Sequence, residues 1–596
     1  MHPWNLSVED AEVLQKSLAE DCELEGDPDV ETVAAIDISM YPESQIGITS
    51  VVHYSLEHDE IINTILLLGD LTFPYVPGLL AFREAPLMLQ ALMKLDRDPD
   101  CLLVDGHGYA HPRRFGLASH LGLLMEIPSI GCAEKNLVGE YDEPGESVGS
   151  FTDIWDGEPI GYAFRSMEGA NPIFLSPGHK VSRENMLPII HSLITGRTKL
   201  PGPLHRADSN AGNERRRLKR MSQPFVEEET GVFLVGGAVR DLLTGRHPED
   251  YDLLVTQFSD SLRETLEDDF EAGFFDLDAD RRMHRLVSGE LQLDVTVVDS
   301  DEVIDDLKRR DFTINSIALD MNRESWVDPC DGRYDIRQGQ LRAAGEASLK
   351  QDPLRILRAY RLVTELDFSI TDELHDQILE HASQLETVSR ERIVEELLKI
   401  VTHDNSLDCV LSMNDEELLS RVEFFAPESA NDIRMLEQWK RVLQGYPLFS
   451  GDYHGGYSLL DGFEAGRLIE RDALDGWPFH RRIKTVVRSS NLPLPEVPQF
   501  DTLKESRWKL LGRLMGVALQ NKWPIERVGE SVSRLQRYLD DRELMEKEVV
   551  ASLEVKRDVG RKKKKKLKKE LPGLWENRMS PILGMDASSE TSPSNL

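Results

Sequence analysis

Cysteine is scarce in this chain: five in 596 residues, at positions 22, 101, 132, 330 and 409, with no Cys-x-x-Cys pair. An odd, scattered set excludes a disulfide framework and a cysteine-built zinc site, and predicts a reducing, cytoplasmic setting. Long apolar runs are also absent. Stretches such as 61–68 are short and broken by Asn63 and Thr64, whereas a membrane span needs about 20 apolar residues, so no membrane partner is expected. Residues 1–13 lack a basic start and an apolar core, and no secretory leader is expected from them. Positive charge is scarce too: 69 Lys and Arg face 106 Asp and Glu, for a net charge of −37. That disfavours a polyanionic ligand unless the cations are gathered, because phosphate contacts need Lys and Arg. They are gathered, at 215–220, 308–310 and 561–569, which predicts basic binding faces on an acidic protein. The run 561–569 has a second reading, a solvated tail.

The length exceeds one hydrophobic core and predicts several structural units. No 20–50-residue repeat is visible. Thr32-Val-Ala-Ala-Ile36, 46–54 and 60–68 are β-rich and closely spaced, as in a meander; 77–95 has helical periodicity; Cys101-Leu-Leu-Val104 is a short buried strand. Between 208 and 230 come Ser, Asn and Gly, then basic and then acidic residues, with little apolar patterning. This predicts a linker. A new α/β unit starts at Val232, and helical patterns dominate from Asp352 onward.

Two separate groups of acidic residues suit a divalent cation against a phosphodiester. Asp37 and Asp105 each end a strand and Glu84 lies early in a helix; three such carboxylates can converge on one or two metal ions. Around them stand Asp37-Ile-Ser39, Pro74-Tyr-Val-Pro77, Phe82-Arg-Glu84, and a block from Asp105-Gly-His-Gly-Tyr-Ala-His111 through Gly122. With Leu175-Ser-Pro-Gly-His179 and Thr195-Gly-Arg-Thr-Lys-Leu-Pro201, these closely resemble endonuclease V over residues 1–212. The resemblance implies an RNase H-like fold and a nuclease that recognises deoxyinosine and nicks at the second phosphodiester on its 3′ side. It implies Asp37, Glu84 and Asp105 as catalytic, metal-holding carboxylates for Mg²⁺, with Mn²⁺ as an alternative. Tyr75, between Pro74 and Pro77, would fill the gap left by the extruded base, a role that suits a rigidly held aromatic. His111 would contact the backbone or support the metal site. Two departures stand out: Glu134 occupies the family's usual lysine position, and Pro201-Gly-Pro-Leu-His205 replaces its Pro-Glu-Pro-Thr-Arg. His120 and His191 are read as structural.

The second group is Leu234-Val-Gly-Gly-Ala-Val-Arg-Asp241 followed by Asp250-Tyr-Asp252. Gly236 and Gly237 end a strand and open a helix, so backbone amides can meet a triphosphate. Asp250 and Asp252, two apart on a strand, share a face and can share two metal ions. With 306–318, Val327-Asp-Pro329, Asp352-Pro-Leu-Arg-Ile-Leu-Arg-Ala-Tyr-Arg361 and Ser389-Arg-Glu-Arg-Ile393, the region 230–402 closely resembles the bacterial-type tRNA nucleotidyltransferase/poly(A) polymerase family. That implies catalytic Asp250, Asp252 and Asp294, again with Mg²⁺ or Mn²⁺ on the first two. Gly236, Gly237, Arg240, Arg309, Arg310, Asp311 and Asn315 would bind the nucleotide. Asp352 and Arg355 would read the base of CTP or ATP from one helix face, with Arg358 and Arg361 nearby. Gln351 replaces a usual Glu, and Cys330-Asp-Gly332 a Phe-Gly-Gly hinge.

The expected fold class is therefore multidomain α/β plus α. It comprises an RNase H-like domain (1–212), a linker (213–230), a nucleotidyltransferase head (231–345), a nucleotide-selecting neck (346–402), a helical RNA-binding body (403–553) and a tail (554–596). The expected partners are inosine-containing DNA, with RNA as an alternative, and the tRNA 3′ end; no protein partner is predictable. CCA addition is preferred to poly(A) synthesis because the Gly-basic-basic-Phe signature associated with bacterial poly(A) polymerases is missing, the nearest stretch being Asp280-Arg-Arg-Met-His-Arg285. Two alternatives stay open: a poly(A) polymerase in the second half, or one half decayed to a binding module.

Overall fold

The computed structural model describes residues 2–421, except 41–43, 279, 290 and 403–405, together with Ser533. The expected tail, its basic run and nearly all of the helical body lie outside the described residues. The chain divides into two compact units, Met1–Gln338 and Gly339–Leu596. Among the described residues no helix is long and apolar enough to cross a membrane, and no two cysteines are bridged.

The first unit opens with helix α1 (Val8–Ala19) and a meander of strands β1 (Thr32–Ser39), β2 (Ile46–Ser55) and β3 (Glu60–Asp70). Helix α2 (Leu80–Leu92), β4 (Cys101–Asp105), α3 (Leu117–Met125) and β5 (Ser129–Ala133) follow. Then come β6 (Glu140–Tyr141), β7 (Phe151–Trp155), β8 (Pro159–Phe164), β9 (Ile173–His179) and α4 (Met186–Leu193). The nine strands form one sheet in the order β3-β2-β1-β4-β5-β9-β8-β7-β6. Strands β1, β4 and β5 are parallel to one another, and the meander is antiparallel; the antiparallel meander beside parallel strands is the RNase H-like arrangement. Alternation along β1 sends Ala34 and Ile36 into a core with α2 and α3, and Val33 and Ala35 into a core with α4. Asp37 has the parity of Val33 and Ala35. Both predicted histidines are placed structurally: His120 is fully buried against the Trp4 ring, and His191 sits edge-on to Phe164.

The stretch 208–230 is not an irregular linker. All but its last three residues belong to helix α5 (Gly202–Glu227), whose buried residues include Leu204, Ala207, Ala211, Glu214, Leu218, Met221 and Phe225. That spacing is a helical stripe, disguised in the sequence by small residues and by a glutamate within it. The Glu214 carboxylate is buried because the Tyr251 hydroxyl donates to it (2.9 Å) and Arg217 pairs with it (3.0 Å).

Beyond α5 the chain forms β10 (Val232–Val235), α6 (Gly237–Thr244), β11 (Asp250–Val255), α7 (Asp260–Phe270), β12 (Phe274–Asp278), β13 (Met283–Ser288) and β14 (Leu291–Val297). Helix α8 (Val303–Lys308), β15 (Ala318–Asp320), β16 (Ser325–Val327) and α9 (Gly332–Gln338) complete the unit. The seven strands order as β12-β13-β14-β11-β10-β15-β16. One apolar core runs from Ile46, Ile48, Leu66 and Leu68 of the first sheet, through Leu218, Met221 and Phe225 of α5, to Leu234, Leu242, Leu253 and Ile317 of the second half. Three of the α5 cations also brace the fold: Arg215 donates to the Met40 carbonyl (2.9 Å), Arg217 binds Glu214, and Arg220 stacks on Phe270 (4.4 Å), while Arg216, Arg217, Lys219 and Arg220 remain exposed. The cluster at 215–220 thus both braces the fold and presents positive charge at the surface.

In the second unit, β17 (Gln340–Leu341) pairs in parallel with β18 (Ser369–Ile370). The unit also contains helices α10 (Ser348–Gln351), α11 (Arg355–Leu366), α12 (Asp372–His381) and α13 (Arg390–Val401), with α11 packed on both strands and on α13. Because Phe225 is fully buried in the core shared by both sheets, Phe225→Ala should cost about 3–5 kcal/mol. Urea unfolding followed by circular dichroism should show a lowered midpoint, and both activities should be lost together as the protein unfolds.

Candidate active sites

The first site is built where β1 and β4 run in step. Ile36 pairs with Val104, so Asp37 and Asp105, one residue on, emerge side by side. Asp37 and Glu84 are buried. Burial and the Asp105 charge hold the Asp37 carboxyl well above its ordinary range. Burial, with Asp105, pushes Glu84 up to about 8, and burial, with Glu134 and Asp208, pushes Asp105 up to about 7. The three predicted carboxylates are therefore mutual neighbours. The structure adds Asp208, on α5, whose charge acts on both Asp37 and Asp105. Sequence reading missed it because it stood in the supposed linker. It also supplies Lys199, whose Nζ lies 3.3 Å from Glu134 Oε1 and whose charge eases that of Asp105. The acid in the family's lysine position is thus matched by a lysine arriving from the segment before α5.

Among the described residues no three His, Cys, Asp or Glu side chains are already drawn to ion-coordinating spacing. Like charges without a cation between them repel, and proton uptake is the alternative relief. A crowded, all-oxygen donor set of buried acids fits a hard divalent cation.

The predicted aromatic wedge stands on a rigid base. Tyr75 is 51% exposed, while Phe73 beside it is buried. Arg83, buried next to Glu84, donates to the Phe73 carbonyl (2.5 Å) and to that of Ser44. The turn closes at Gly78 (φ +79°), where a side chain would meet Arg113 at 2.8 Å. The Gly78 carbonyl accepts from Arg113 (2.7 Å) and Gln15 (3.2 Å). His111 belongs to this support: its Nδ1 accepts from the Arg113 amide (3.1 Å), and burial beside Arg113 lowers its pKa to about 4, so it is neutral.

The second site lies where β10 ends. Strands β11 and β14 run parallel with Asp252 opposite Asp294, and Asp250 two residues earlier shares the face of Asp252. Burial pushes Asp252 up to about 6 against the opposing pull of Arg310. Gly236 (φ +72°) packs over both: a side chain there would lie 2.7 Å from Arg310 Nη1 and 2.8 Å from Asp252 Oδ2. Arg240, on α6 behind Gly237, binds Asp241 (2.8 Å) and Asn315 (3.1 Å), and Asn315 binds Asp311 (2.9 Å). Arg309 is exposed at the end of α8, whereas Arg310 pairs with Asp306 (3.2 Å). Asp294, the third expected catalytic carboxylate, is held bidentately by Arg285 (2.6 Å to each oxygen), which offsets its charge.

Within the second unit, Asp352 and Arg355 do not share a helix face as expected. Helix α11 begins at Arg355, and Asp352 is extended (φ −145°, ψ 99°), as Pro353 disfavours helical backbone in the residue before it. The two remain neighbours: Arg392 of α13 grips Asp352 (2.6 and 3.1 Å) and, despite burial, with Arg355 holds its carboxyl below the usual range. Arg355 donates to Ser348 Oγ (2.8 Å). Buried Glu396, unremarked in the sequence, gathers Arg361 (2.8 Å) and Arg358 (3.8 Å).

Three family profiles match the chain: "Endonuclease V" over 13–209, "Poly A polymerase head domain" over 232–342, and "Probable RNA and SrmB- binding site of polymerase A" over 367–430. Endonuclease V of Gloeobacter violaceus is 41% identical over 212 residues, covering 35% of this chain and 86% of that protein. Endonuclease V of Thermus thermophilus is 42% identical over 209 residues, covering 34% and 92%. The crystal structure of endonuclease V from Streptomyces avermitilis shares 33% identity and covers 36% of this chain and 95% of its own, with a TM-score of 0.34. A CCA-adding enzyme in complex with ATP shares 21% identity and covers 55% and 83%, with a TM-score of 0.46.

Gly236→Ala should force Arg310 and Asp252 apart and strain a left-handed backbone. A displacement near 1 Å at reacting groups costs about 10²-fold, so nucleotide incorporation into a 3′ end should fall on that scale while nicking is retained; radiolabelled incorporation reads it out.

Proposed function

The chain belongs to the endonuclease V family and carries a poly(A) polymerase-type head beyond that domain, and we propose that it nicks strands 3′ to (deoxy)inosine at one site and adds CCA to tRNA 3′ ends at the other. The observation that carries the first half is the in-step emergence of Asp37 and Asp105 beside buried Glu84. Asp37, Glu84 and Asp105, with Asp208, would hold Mg²⁺ or Mn²⁺ at the first site, and Asp250 and Asp252 at the second; the ion would supply Lewis acidity and offset the clustered charge. The chain's own residues do the rest. Tyr75 stacks where the extruded base leaves a gap, the 74–78 turn keeps it rigid, and Lys199 sets a positive charge beside Asp105. At the second site Gly236 and Gly237 let the triphosphate approach the backbone, Arg240 and Arg310 balance its charge, and α6 opens toward the anion. Within the second unit taken by itself, Asp352 and Arg355, held in place by Arg392 and Ser348, offer an acceptor and donors suited to the base of CTP or ATP. The substrates on this reading are inosine-containing DNA, or RNA, and the tRNA 3′ end.

Poly(A) synthesis is the second reading, favoured by the polymerase A descriptions of the two matching profiles. CCA addition is supported by the missing Gly-basic-basic-Phe signature; at the nearest stretch Arg285 is committed to Asp294.

Since the two halves share a core, point substitutions in the full chain separate them better than cutting does. Asp37→Ala or Asp105→Ala should lower nicking of inosine strands at least about 10³-fold, as each carboxylate supports several kcal/mol of charge stabilisation, and leave nucleotide addition intact. Asp250→Ala should do the converse. Loss of both activities in a folded variant would refute two independent sites. Arg355→Ala should blur the choice between CTP and ATP, because a site built to hydrogen-bond a base discriminates by leaving groups unpaired. Sequencing the 3′ ends of trimmed tRNA after reaction reads this out, and long A-tails from the unsubstituted protein would establish poly(A) synthesis instead.

A further inference from the structure

A cleft of about 600 Å³ opens beside the 74–77 turn and draws its walls from both halves of the first unit. One wall is the end of β3 and the segment leading to the turn: Asp70, Thr72, Phe73, Pro74 and Tyr75. The other is the β15–β16 hairpin of the polymerase-type head, through Glu324, Ser325 and Trp326. None of Asp37, Glu84, Asp105, Asp250 or Asp252 lines it. The hairpin is fastened to the nuclease sheet. The Trp326 indole N–H donates to Asp70 Oδ1 (2.6 Å), Arg333 pairs with the other Asp70 oxygen, and the Ser44 hydroxyl donates to Glu324. Arg333 also lies over one face of the Trp326 ring (4.5 Å), fixing its tilt.

We propose that this cleft receives the nucleobase left unpaired opposite the extruded base, with Trp326 of the head as one wall and Tyr75 of the nuclease as the other. The proposal rests on the reading of Tyr75 as the residue that enters the gap left by the extruded base. Three features select a base over a phosphate. Of the three aromatic residues in the lining Phe73 is buried, while Trp326 and the half-exposed Tyr75 offer stacking surface, which every base can use. The charged groups of the lining are two carboxylates, Asp70 and Glu324, and one bound arginine, Arg83. Such a lining repels phosphate and accepts from exocyclic amino groups. The volume admits a base with its sugar but not a duplex. A base pushed aside at the wedge, being adjacent to Tyr75, is the group within reach. The fused head thereby becomes part of the nuclease's recognition surface.

The experiment uses the full chain and a duplex carrying inosine with 2-aminopurine opposite it, whose fluorescence is quenched on stacking. Ser325 is exposed, so Ser325→Trp should fold and fill the cleft. Trp326→Ala removes the stacking wall and Trp326→Phe keeps an aromatic one. With binding measured in Ca²⁺ to suppress cutting, Ser325→Trp and Trp326→Ala should weaken duplex affinity about tenfold, the scale of one lost base–aromatic stack. Trp326→Ala should also abolish the quenching, Trp326→Phe should retain both, and binding of CTP and ATP should be unchanged in all three. Unchanged duplex affinity and quenching in folded Ser325→Trp overturns the proposal even if Trp326→Ala is unstable. Weakened CTP or ATP binding with unchanged duplex affinity overturns it in favour of a free-nucleotide site. An unsubstituted protein that neither binds nor nicks the inosine duplex would overturn the nuclease reading itself, a result distinguishable from the failure of the cleft.

Discussion

The structure depends on one buried contact, the Glu214 carboxylate of α5 closed by the Tyr251 hydroxyl and Arg217. Tyr251 stands between Asp250 and Asp252 on β11 and points away from them, as strand alternation requires. The helix that carries Glu214 carries Asp208 to the nuclease carboxylates six residues earlier. A single rigid rod thus reaches toward one acidic site and braces the strand of the other. Burying an acid is tolerable only because its oxygens are fully engaged. Removing the Tyr251 hydroxyl would leave Glu214 with Arg217 alone.

Each site follows the same electrostatic logic. Carboxylates are crowded and partly desolvated, which raises their proton affinity: Glu84 to about 8, Asp105 to about 7, Asp252 to about 6. That crowding is unfavourable for the protein alone and is of the kind a divalent cation would relieve, the all-oxygen donors being suited to a hard ion. The cations nearby moderate the crowding: Lys199 with Glu134, Arg310 beside Asp252, Arg285 on Asp294.

Much of this was legible in the sequence. The meander, the strand ending at Asp105, the Gly-Gly turn and the Asp-x-Asp strand all carry strong local periodicity or turn chemistry, and they fall within three residues of expectation. What was not legible depended on contacts between distant segments. Helix α5 looked like a linker because its stripe is built of alanine, a paired glutamate and few large apolar residues, and Asp208 was hidden with it. Composition could not show that Arg217 and Arg220, within the exposed basic cluster 215–220, also bind Glu214 and Phe270. The pairing of Lys199 with Glu134 spans 65 residues and has no local signal. Asp352 was misplaced for a local reason that could have been read: Pro353 follows it.

The central claim is that α5 and the two sheets form one cooperative body. Backbone hydrogen exchange of α5 tests it most directly, since buried helices in a shared core open only with the global unfolding free energy. The amides of Leu218, Met221 and Phe225 should exchange as slowly as those of Ala35 on β1 and Leu253 on β11. Exchange of these α5 amides within seconds, alongside slow exchange in both sheets, would contradict the account and restore two domains on a tether.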